Sequence, residues 1–213
     1  MPSRLRILID LLHASDEIAL ATNSFGIPGY PYATSVAFAT DERHRPLVLI
    51  SRLAEHTRNL AADARASLAV ARPLGDGEIA RASLVGDLLP VDTDSQLLGR
   101  YLRFHPAAER FLQLGDFRFH RFEPKRIRVV GGFGQAGWLD GHQLIDAPHL
   151  ALDEEARLLA DAGTVLPDGV ALLGLDAYGA DLVVDGTRVR RVFKSGPLVG
   201  DAVLPALARE LHV

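Results

Sequence analysis

The feature that most constrains this chain is a succession of short strand-like segments in its first 130 residues, with few helices between them. The clearest is Leu47-Val48-Leu49-Ile50, an apolar run typical of a buried strand. A polar turn over Asp41–Arg45 precedes it, which predicts a hairpin with the segment before. The segments predicted as strands are Glu17–Thr22, Tyr32–Thr40, Pro46–Ser51, Ala66–Ala71, Glu78–Val91, Phe117–Phe122 and Arg126–Val130.

This succession favours an antiparallel barrel over a parallel α/β sheet, because parallel strands need a helix at each crossover. Gly86 lies inside the longest segment and predicts a bulge or bend there. Pro124 is expected to separate the last two segments into a hairpin. Helical spacing of apolar residues or good helix formers predicts helices over residues 4–14, 54–62, 95–104 and 107–114.

The pattern changes after about residue 145. An acidic amphipathic helix over Leu152–Ala162 is followed by three short strands, a hairpin signal at Asp185-Gly186 and a closing helix over Asp201–Leu211. We therefore predict an α+β protein. A six-stranded antiparallel barrel occupies residues 1–145, and a small α+β domain occupies residues 146–213.

Composition excludes several classes of protein. The chain has no cysteine, which rules out disulfides, thiolate metal sites and cysteine nucleophiles. A net charge of −4 provides no basic field for nucleic acid or an anionic membrane. No apolar run is long enough for a membrane span or a secretory leader, so we expect a cytoplasmic protein. The eight histidines are scattered without clustered carboxylates, and no metal site is expected.

The segment Ser51–Asn59 follows a buried strand and opens a helix. Ser51 and Thr57 offer hydroxyls there, and Arg52 and His56 offer charge or N–H donors. The free N–H groups at a helix N-terminus add to an anion site, so the segment could bind a phosphate. A capped helix with a solvated polar face explains the same residues. Spacing alone leaves both interpretations open.

A family resemblance bears on this choice. The most specific stretch is Ser51-Arg52-Leu53-Ala54-Glu55-His56-Thr57-Arg58-Asn59. It is accompanied by Gly29–Val36, Arg81–Gly86, Arg100-Tyr101, His105-Pro106, Asp116-Phe117 and Gly131–Ala136. In order and spacing these resemble the pyridoxamine 5'-phosphate oxidase-related, FMN-binding split-barrel superfamily, and within it the branch associated with haem utilisation. The C-terminal part is similar to the small domain appended in that branch.

The resemblance implies a homodimer that holds FMN at the interface of two split barrels. It places the cofactor phosphate at the start of the helix after the hairpin and the ring along two strands. Implied on the phosphate side and its loop are Ser51, Arg52, Leu53, His56 and Thr57; implied along the ring are Thr34, Ser35 and Arg81.

Two departures from the family pattern keep alternatives open. The strand Tyr32–Ala39 carries no basic residue, so Arg52, His56, Arg58 or Arg81 would balance a phosphate. The helix at residue 152 lacks the histidines usual in that branch. We expect an FMN-binding protein with oxidoreductase activity, without assigned catalytic residues. The alternatives are a haem-binding or haem-degrading protein, with His212 as a candidate iron ligand, and a cofactor-free binding module.

Overall fold

The fold is described from a computed structural model that covers residues 3–75, 77–132, 135–163 and 166–211. Its helices are α1 (Arg4–His13), α2 (Glu55–Ala62), α3 (Ser95–Phe104), α4 (Glu109–Leu112), α5 (Gly141–Ile145), α6 (Leu152–Ala162) and α7 (Val203–Leu211). Its strands are β1 (Glu17–Asn23), β2 (Pro31–Thr40), β3 (Pro46–Ser51), β4 (Arg65–Gly75), β5 (Glu78–Pro90), β6 (Phe117–Gly131), β7 (Ala136–Asp140), β8 (Val170–Asp176), β9 (Gly179–Val184) and β10 (Thr187–Val192).

The large sheet is antiparallel throughout, in the order β3-β2-β1-β4-β5-β6-β7. An additional pairing between β3 and β6 closes the first six of these strands into a barrel, and β7 extends the sheet beyond the closure. The predicted α+β class and six-stranded barrel are therefore confirmed.

The barrel interior is filled from within the sheet and from one helix. Leu8, Ile9 and Leu12 of α1 are fully buried in the same core as Phe38 and Phe122 from the strands. Their helical spacing places them on one face of α1, which is why this short helix can plug the barrel. Burial of such side chains contributes roughly 1.5–3 kcal/mol each.

The longest strand corrects one prediction. β6 runs unbroken from Phe117 to Gly131, so Pro124 does not separate two strands. Pro124 lies opposite Gly86, where the register between β5 and β6 shifts. A bulge leaves one residue out of the ladder, so a proline without an N–H is tolerated there. The bulge predicted at Gly86 is confirmed.

The C-terminal unit, residues 146–211, has a core of its own. The sheet β10-β9-β8 shares this core with α6 and α7 through Leu158, Leu182, Phe193 and Leu207. A boundary near residue 145 stays a prediction, because other contacts tie the unit to the barrel. The Arg6 guanidinium, for example, donates hydrogen bonds of 2.9 Å to the carbonyl oxygens of both Tyr178 and Phe193.

Within the described residues, no helix combines the length and the apolar character needed to cross a bilayer. The longest helix, α6, has 11 residues, whereas a span needs about 20.

Candidate functional site

The strand-to-helix turn, residues Ser51–Asn59, is held together by its own hydroxyl groups. The Ser51 hydroxyl donates to Asp116 Oδ2 over 2.6 Å and accepts from the Leu53 N–H over 3.1 Å. The Thr57 hydroxyl donates to the Ser51 carbonyl oxygen over 2.7 Å. The Arg52 N–H donates to the Asp116 carbonyl oxygen, which fastens the turn to the start of β6. Both hydroxyl protons are therefore committed inside the protein.

This geometry changes the electrostatics expected for a phosphate. The Asp116 carboxylate, which sequence reasoning did not place in the site, stands directly beside Ser51 and would repel an anion. Arg58 pairs with Glu55 over 3.7 Å. Arg52 is exposed and makes no ion pair with any described residue. Arg52 and the open N-terminal end of α2 are thus the remaining attractions for an anion at this turn.

His56 carries an unpaired nitrogen. Its Nε2 is buried and has no hydrogen-bond partner among the described residues. Burial lowers the pKa of His56, and the neighbouring His120 lowers it further. Burial also lowers the pKa of His120, although its hydrogen bond to the Arg118 carbonyl oxygen acts in the opposite direction. His56 is therefore neutral at pH 7, and its Nε2 is a buried nitrogen without a hydrogen-bond partner among the described residues.

An exposed apolar patch lies beside the turn. The loop between β1 and β2 presents Phe25, Ile27 and Tyr30, and the turn presents Leu53; these four side chains, here called the aromatic patch, are 63–73% exposed. The loop is anchored to α2 by a 2.8 Å hydrogen bond from the Phe25 N–H to Asn59 Oδ1. Asn59 is buried and also donates to the Thr22 hydroxyl, so it supports the loop.

Ser35 and Arg81 belong to a different surface, the outer face of the barrel sheet, whereas Thr34 is half-buried and faces the inner side, opposite the buried Leu20. Strand register aligns six outward residues across the outer face in one row: Ser35, Ala19, Ala69, Ser83, Arg128 and Trp138. The row beside it contains Ala33, Ala21, Ser67, Val85, Arg126 and Asp140. These two rows, here called the flat face, are dominated by alanine and serine over the four strands β2, β1, β4 and β5.

One edge of the flat face is cationic and aromatic. The guanidinium carbons of Arg126 and Arg128 lie 5.2 and 5.6 Å from the centre of the Trp138 ring. Arg81 projects on the same side, one row further along, and is exposed. None of these three arginines forms an ion pair with a described residue. An anionic group with a planar apolar body would find both kinds of contact there.

The predicted site residues fall into two groups within one chain. Ser51, Arg52, Leu53, His56 and Thr57 lie together at the turn. Extending the β2–β3 register from Phe38 and Val48 places Ser35 level with Ser51, although the Ser35 hydroxyl donates to Glu17. Arg81 lies apart, because Ser51 and Arg81 pair with Phe117 and Val130 at opposite ends of the 15-residue β6. The role of each in cofactor binding stays a prediction, and His212 lies outside the described residues.

This closed six-stranded barrel with a helical plug defines the class of protein. The chain matches the CREG β-barrel family over residues 9–145 and belongs to that family, within the pyridoxamine 5'-phosphate oxidase-like split-barrel superfamily. The resemblance inferred from the sequence is confirmed.

Among curated proteins, the chain is 40% identical over 119 residues to the chloroplastic non-canonical heme oxygenase HOZ of Arabidopsis thaliana, covering 55% of this chain. It spans only 37% of the length of that protein. It is 32% identical over 143 residues to the heme oxygenase HutZ of Vibrio cholerae, covering 62% of this chain and 79% of that protein.

A solved structure resembles the whole chain. The heme-binding protein of Mycobacterium smegmatis superposes with a TM-score of 0.65 at 26% identity, covering 99% of this chain and 96% of that one. This likeness includes the C-terminal unit. None of these three relatives is named for a flavin, so the comparisons lend no support to the FMN expectation and fit the haem alternative better.

Proposed function

We propose that this protein binds haem and degrades it by the oxygenase type of reaction. The observation that carries the proposal is the 32% identity to a haem oxygenase over 79% of that protein's length. We propose haem in place of the expected flavin, because the turn predicted to hold the flavin phosphate lies beside the Asp116 carboxylate. Haem needs no phosphate site.

The residues present suit the chemistry of haem. A porphyrin offers a large apolar plane, two carboxylates and an iron that accepts nitrogen ligands. The aromatic patch supplies apolar contact beside the turn, Arg52 supplies an uncommitted cation, and His56 Nε2 supplies an unpaired nitrogen. When bound, the iron supplies the reaction with oxygen. The chain would bind and orient the macrocycle and shield one side of it from water.

The partner proposed for this function is a second copy of the same chain. The flat face exposes a sheet surface of alanines and serines, which lets another backbone approach closely. Within one chain Arg81 lies apart from the turn, so a site that includes both would need a second chain. The dimer and a cytoplasmic location both stay proposals.

Haemin titration tests the function. Purified protein at 5 µM is titrated with haemin and, in parallel, with FMN, and the Soret band and flavin fluorescence are followed. We expect a shifted Soret band with a micromolar Kd and no FMN binding. Absence of a Soret shift would refute haem binding, and tight FMN binding would restore the flavin interpretation.

Matched variants locate the site. His56→Ala should weaken haemin binding about tenfold or displace the Soret maximum, because an iron ligand or its support is lost. His142→Ala, an exposed histidine on α5, should behave as the unchanged protein. His212→Ala tests the C-terminal histidine separately.

Haem degradation is followed as loss of the Soret band under ascorbate and oxygen. If the haem is stable under those conditions, the protein binds haem but does not degrade it.

A further inference from the structure

Two buried histidines contact each other at the interface between the barrel and the C-terminal unit, here called the seam. His13 ends α1, and His44 lies in the turn between β2 and β3. His13 Nε2 is 2.9 Å from His44 Nδ1, and His44 Nε2 is 3.0 Å from the Pro148 carbonyl oxygen. On its other side, His13 Nδ1 is 3.3 Å from Asp176 Oδ2. These contacts join the barrel to the linker and to the C-terminal sheet.

The partners of each ring determine where the protons sit. A carbonyl oxygen only accepts hydrogen bonds, so His44 Nε2 must carry a proton to bond Pro148. Neutral His44 then has a bare Nδ1 that accepts, and His13 Nε2 must donate to it. With His44 neutral, these hydrogen bonds can therefore run in one direction only: His13 donates to His44, and His44 donates to Pro148.

The charged groups around these hydrogen bonds are few and defined. Asp176 and Asp181 face His13, and Arg190 neutralises them at 2.8 and 3.3 Å. Tyr178 packs its ring edge-on against His44 at 5.6 Å between centroids. Arg100 of α3 reaches the same region through Thr40, and Glu155 of α6 pairs with it. Asp176 also lies close to His44, with a carboxylate oxygen within 4.8 Å of a His44 ring nitrogen, and its charge acts to raise the pKa of His44.

We propose that His44 is an acid-sensitive latch, which docks the C-terminal unit onto the barrel while neutral and releases it when protonated. A second proton on His44 Nδ1 would face the His13 Nε2 proton across 2.9 Å. While His13 Nε2 keeps its proton, the two N–H groups repel each other and the bond that joins α1 to the hairpin turn is lost. The hydrogen bond from His44 to Pro148 is then no longer connected, through His13, to the carboxylate of Asp176.

The direction of the pH dependence follows from burial. Burial lowers the pKa of His44 to about 3 and the charge of His13 acts in the same direction, whereas Asp176 and the hydrogen bond to Pro148 act in the opposite one. When the C-terminal unit is undocked, His44 of the barrel regains an ordinary pKa of about 6.5. Docking is therefore fully favoured above about pH 6.5 and is lost as the pH falls. Each pH unit below that value should shift the equilibrium about tenfold toward the undocked form.

Asp176, Arg190 and Arg100 keep their charge in this range. Although burial opposes ionisation of Asp176, Arg190 and His13 hold its pKa below the ordinary value, so it stays ionised between pH 4 and 6. Arg190 and Arg100 stay protonated at every such pH. His56 and His120 lie on α2 and β6 of the barrel, and neither forms a hydrogen bond with His13 or His44 among the described residues.

Hydrogen–deuterium exchange tests the latch in the full-length protein. Exchange of β8–β10 is compared with that of β4–β5 at pH 7, 6, 5 and 4.5, corrected for intrinsic exchange rates. We expect the opening constant of β8–β10 to rise about tenfold per pH unit between pH 6 and 4.5, with a smaller change in β4–β5. Equal loss of protection in both sheets, or no loss in either, would overturn the proposal.

The decisive variant is His44→Asn, with His142→Asn as the matched control. His44 has a φ of 64°, a left-handed conformation that asparagine tolerates and that most residues do not. His44→Asn cannot titrate, so its β8–β10 exchange should lose the pH-dependent step, whereas His142→Asn should retain it. A retained step in His44→Asn would refute the role of His44.

Nitrogen-15 NMR of the unmodified protein provides a second readout should the variant fail to fold. We expect His44 as the neutral Nε2–H tautomer at pH 5 in the docked population. A His44 ring that is doubly protonated at pH 5 while β8–β10 stay protected would overturn the latch.

Discussion

At the scale of single residues, a buried ion pair joins α3 of the barrel to α6 of the C-terminal unit. Arg100 and Glu155 are 2–3% exposed and bond directly to each other. Each is further satisfied, since Arg100 Nε donates to the Thr40 carbonyl oxygen at 2.8 Å and Glu155 Oε1 accepts from the Leu175 N–H at 3.0 Å. Both charges are thus compensated without water, which makes the loss of either one costly.

Glu155→Gln should lower the free energy of unfolding by about 3–5 kcal/mol, because it leaves a buried guanidinium without a counter-charge. Urea denaturation followed by circular dichroism measures the change. Glu109→Gln, an exposed glutamate on α4, is the control and should stay within about 0.5 kcal/mol of the parent. A Glu155→Gln protein as stable as the control would show that the pair contributes little.

The candidate site shows which residues a sequence can and cannot reveal. Ser51 and Thr57 are at the predicted turn, because the apolar run before them and the helix after them are local signals. Asp116 was missed as their partner, since it is 65 residues away from Ser51 and meets it only through the β3–β6 pairing. His120 was missed as the neighbour of His56 for the same reason.

At the scale of elements, local patterns identified most strands, and errors arose where a partner strand decides the outcome. The hairpin at Asp185-Gly186 was predicted from two residues, and both adopt the positive φ that such a turn needs. The unbroken β6 was not predicted, because the bulge that accommodates Pro124 is set by Gly86 on another strand. β7 was missed altogether, since five residues offer too short a pattern.

Gly86→Ala should destabilise the protein by about 1–3 kcal/mol or more through overpacking. The added Cβ would lie 2.2 Å from the Glu123 carbonyl oxygen, and backbone there cannot move without disturbing the bulge. Gly99→Ala is the matched control, because nothing lies within 4 Å of its Cβ and it is inside α3. That change should stabilise the helix by about 0.5–1 kcal/mol. The urea concentration at the midpoint of unfolding is measured for both variants. A shift in the same direction in both would contradict the proposal that the bulge requires glycine at residue 86.

At the scale of the whole molecule, the flat face is the surface best suited to self-association. Its central strands expose side chains no larger than serine along the row through Ser35, Ala19, Ala69 and Ser83. The sequence did not predict this face, because it depends on the register of six strands.

Ala69→Glu places a charge at the centre of the flat face and should convert a dimer into a monomer without unfolding it. Ala61→Glu, on the exposed side of α2, should leave the assembly intact. Sedimentation equilibrium at about 50 µM measures the mass. A monomeric parent protein, or an Ala69→Glu variant that remains dimeric, would remove the flat face as the interface.

The bonds from Arg6 to the carbonyl oxygens of Tyr178 and Phe193 also bear on how the chain is made. A ribosome adds about 5–20 residues per second, so roughly 10–35 s separate the synthesis of Arg6 from that of its acceptors. Through that interval the Arg6 guanidinium has only Asp10 of its own helix as a partner, at 2.9 Å, and the N–H groups that later bind the two carbonyl oxygens lack these acceptors. The nascent barrel is therefore exposed to premature contacts, and a chaperone that shields Arg6 would act before the last strands emerge.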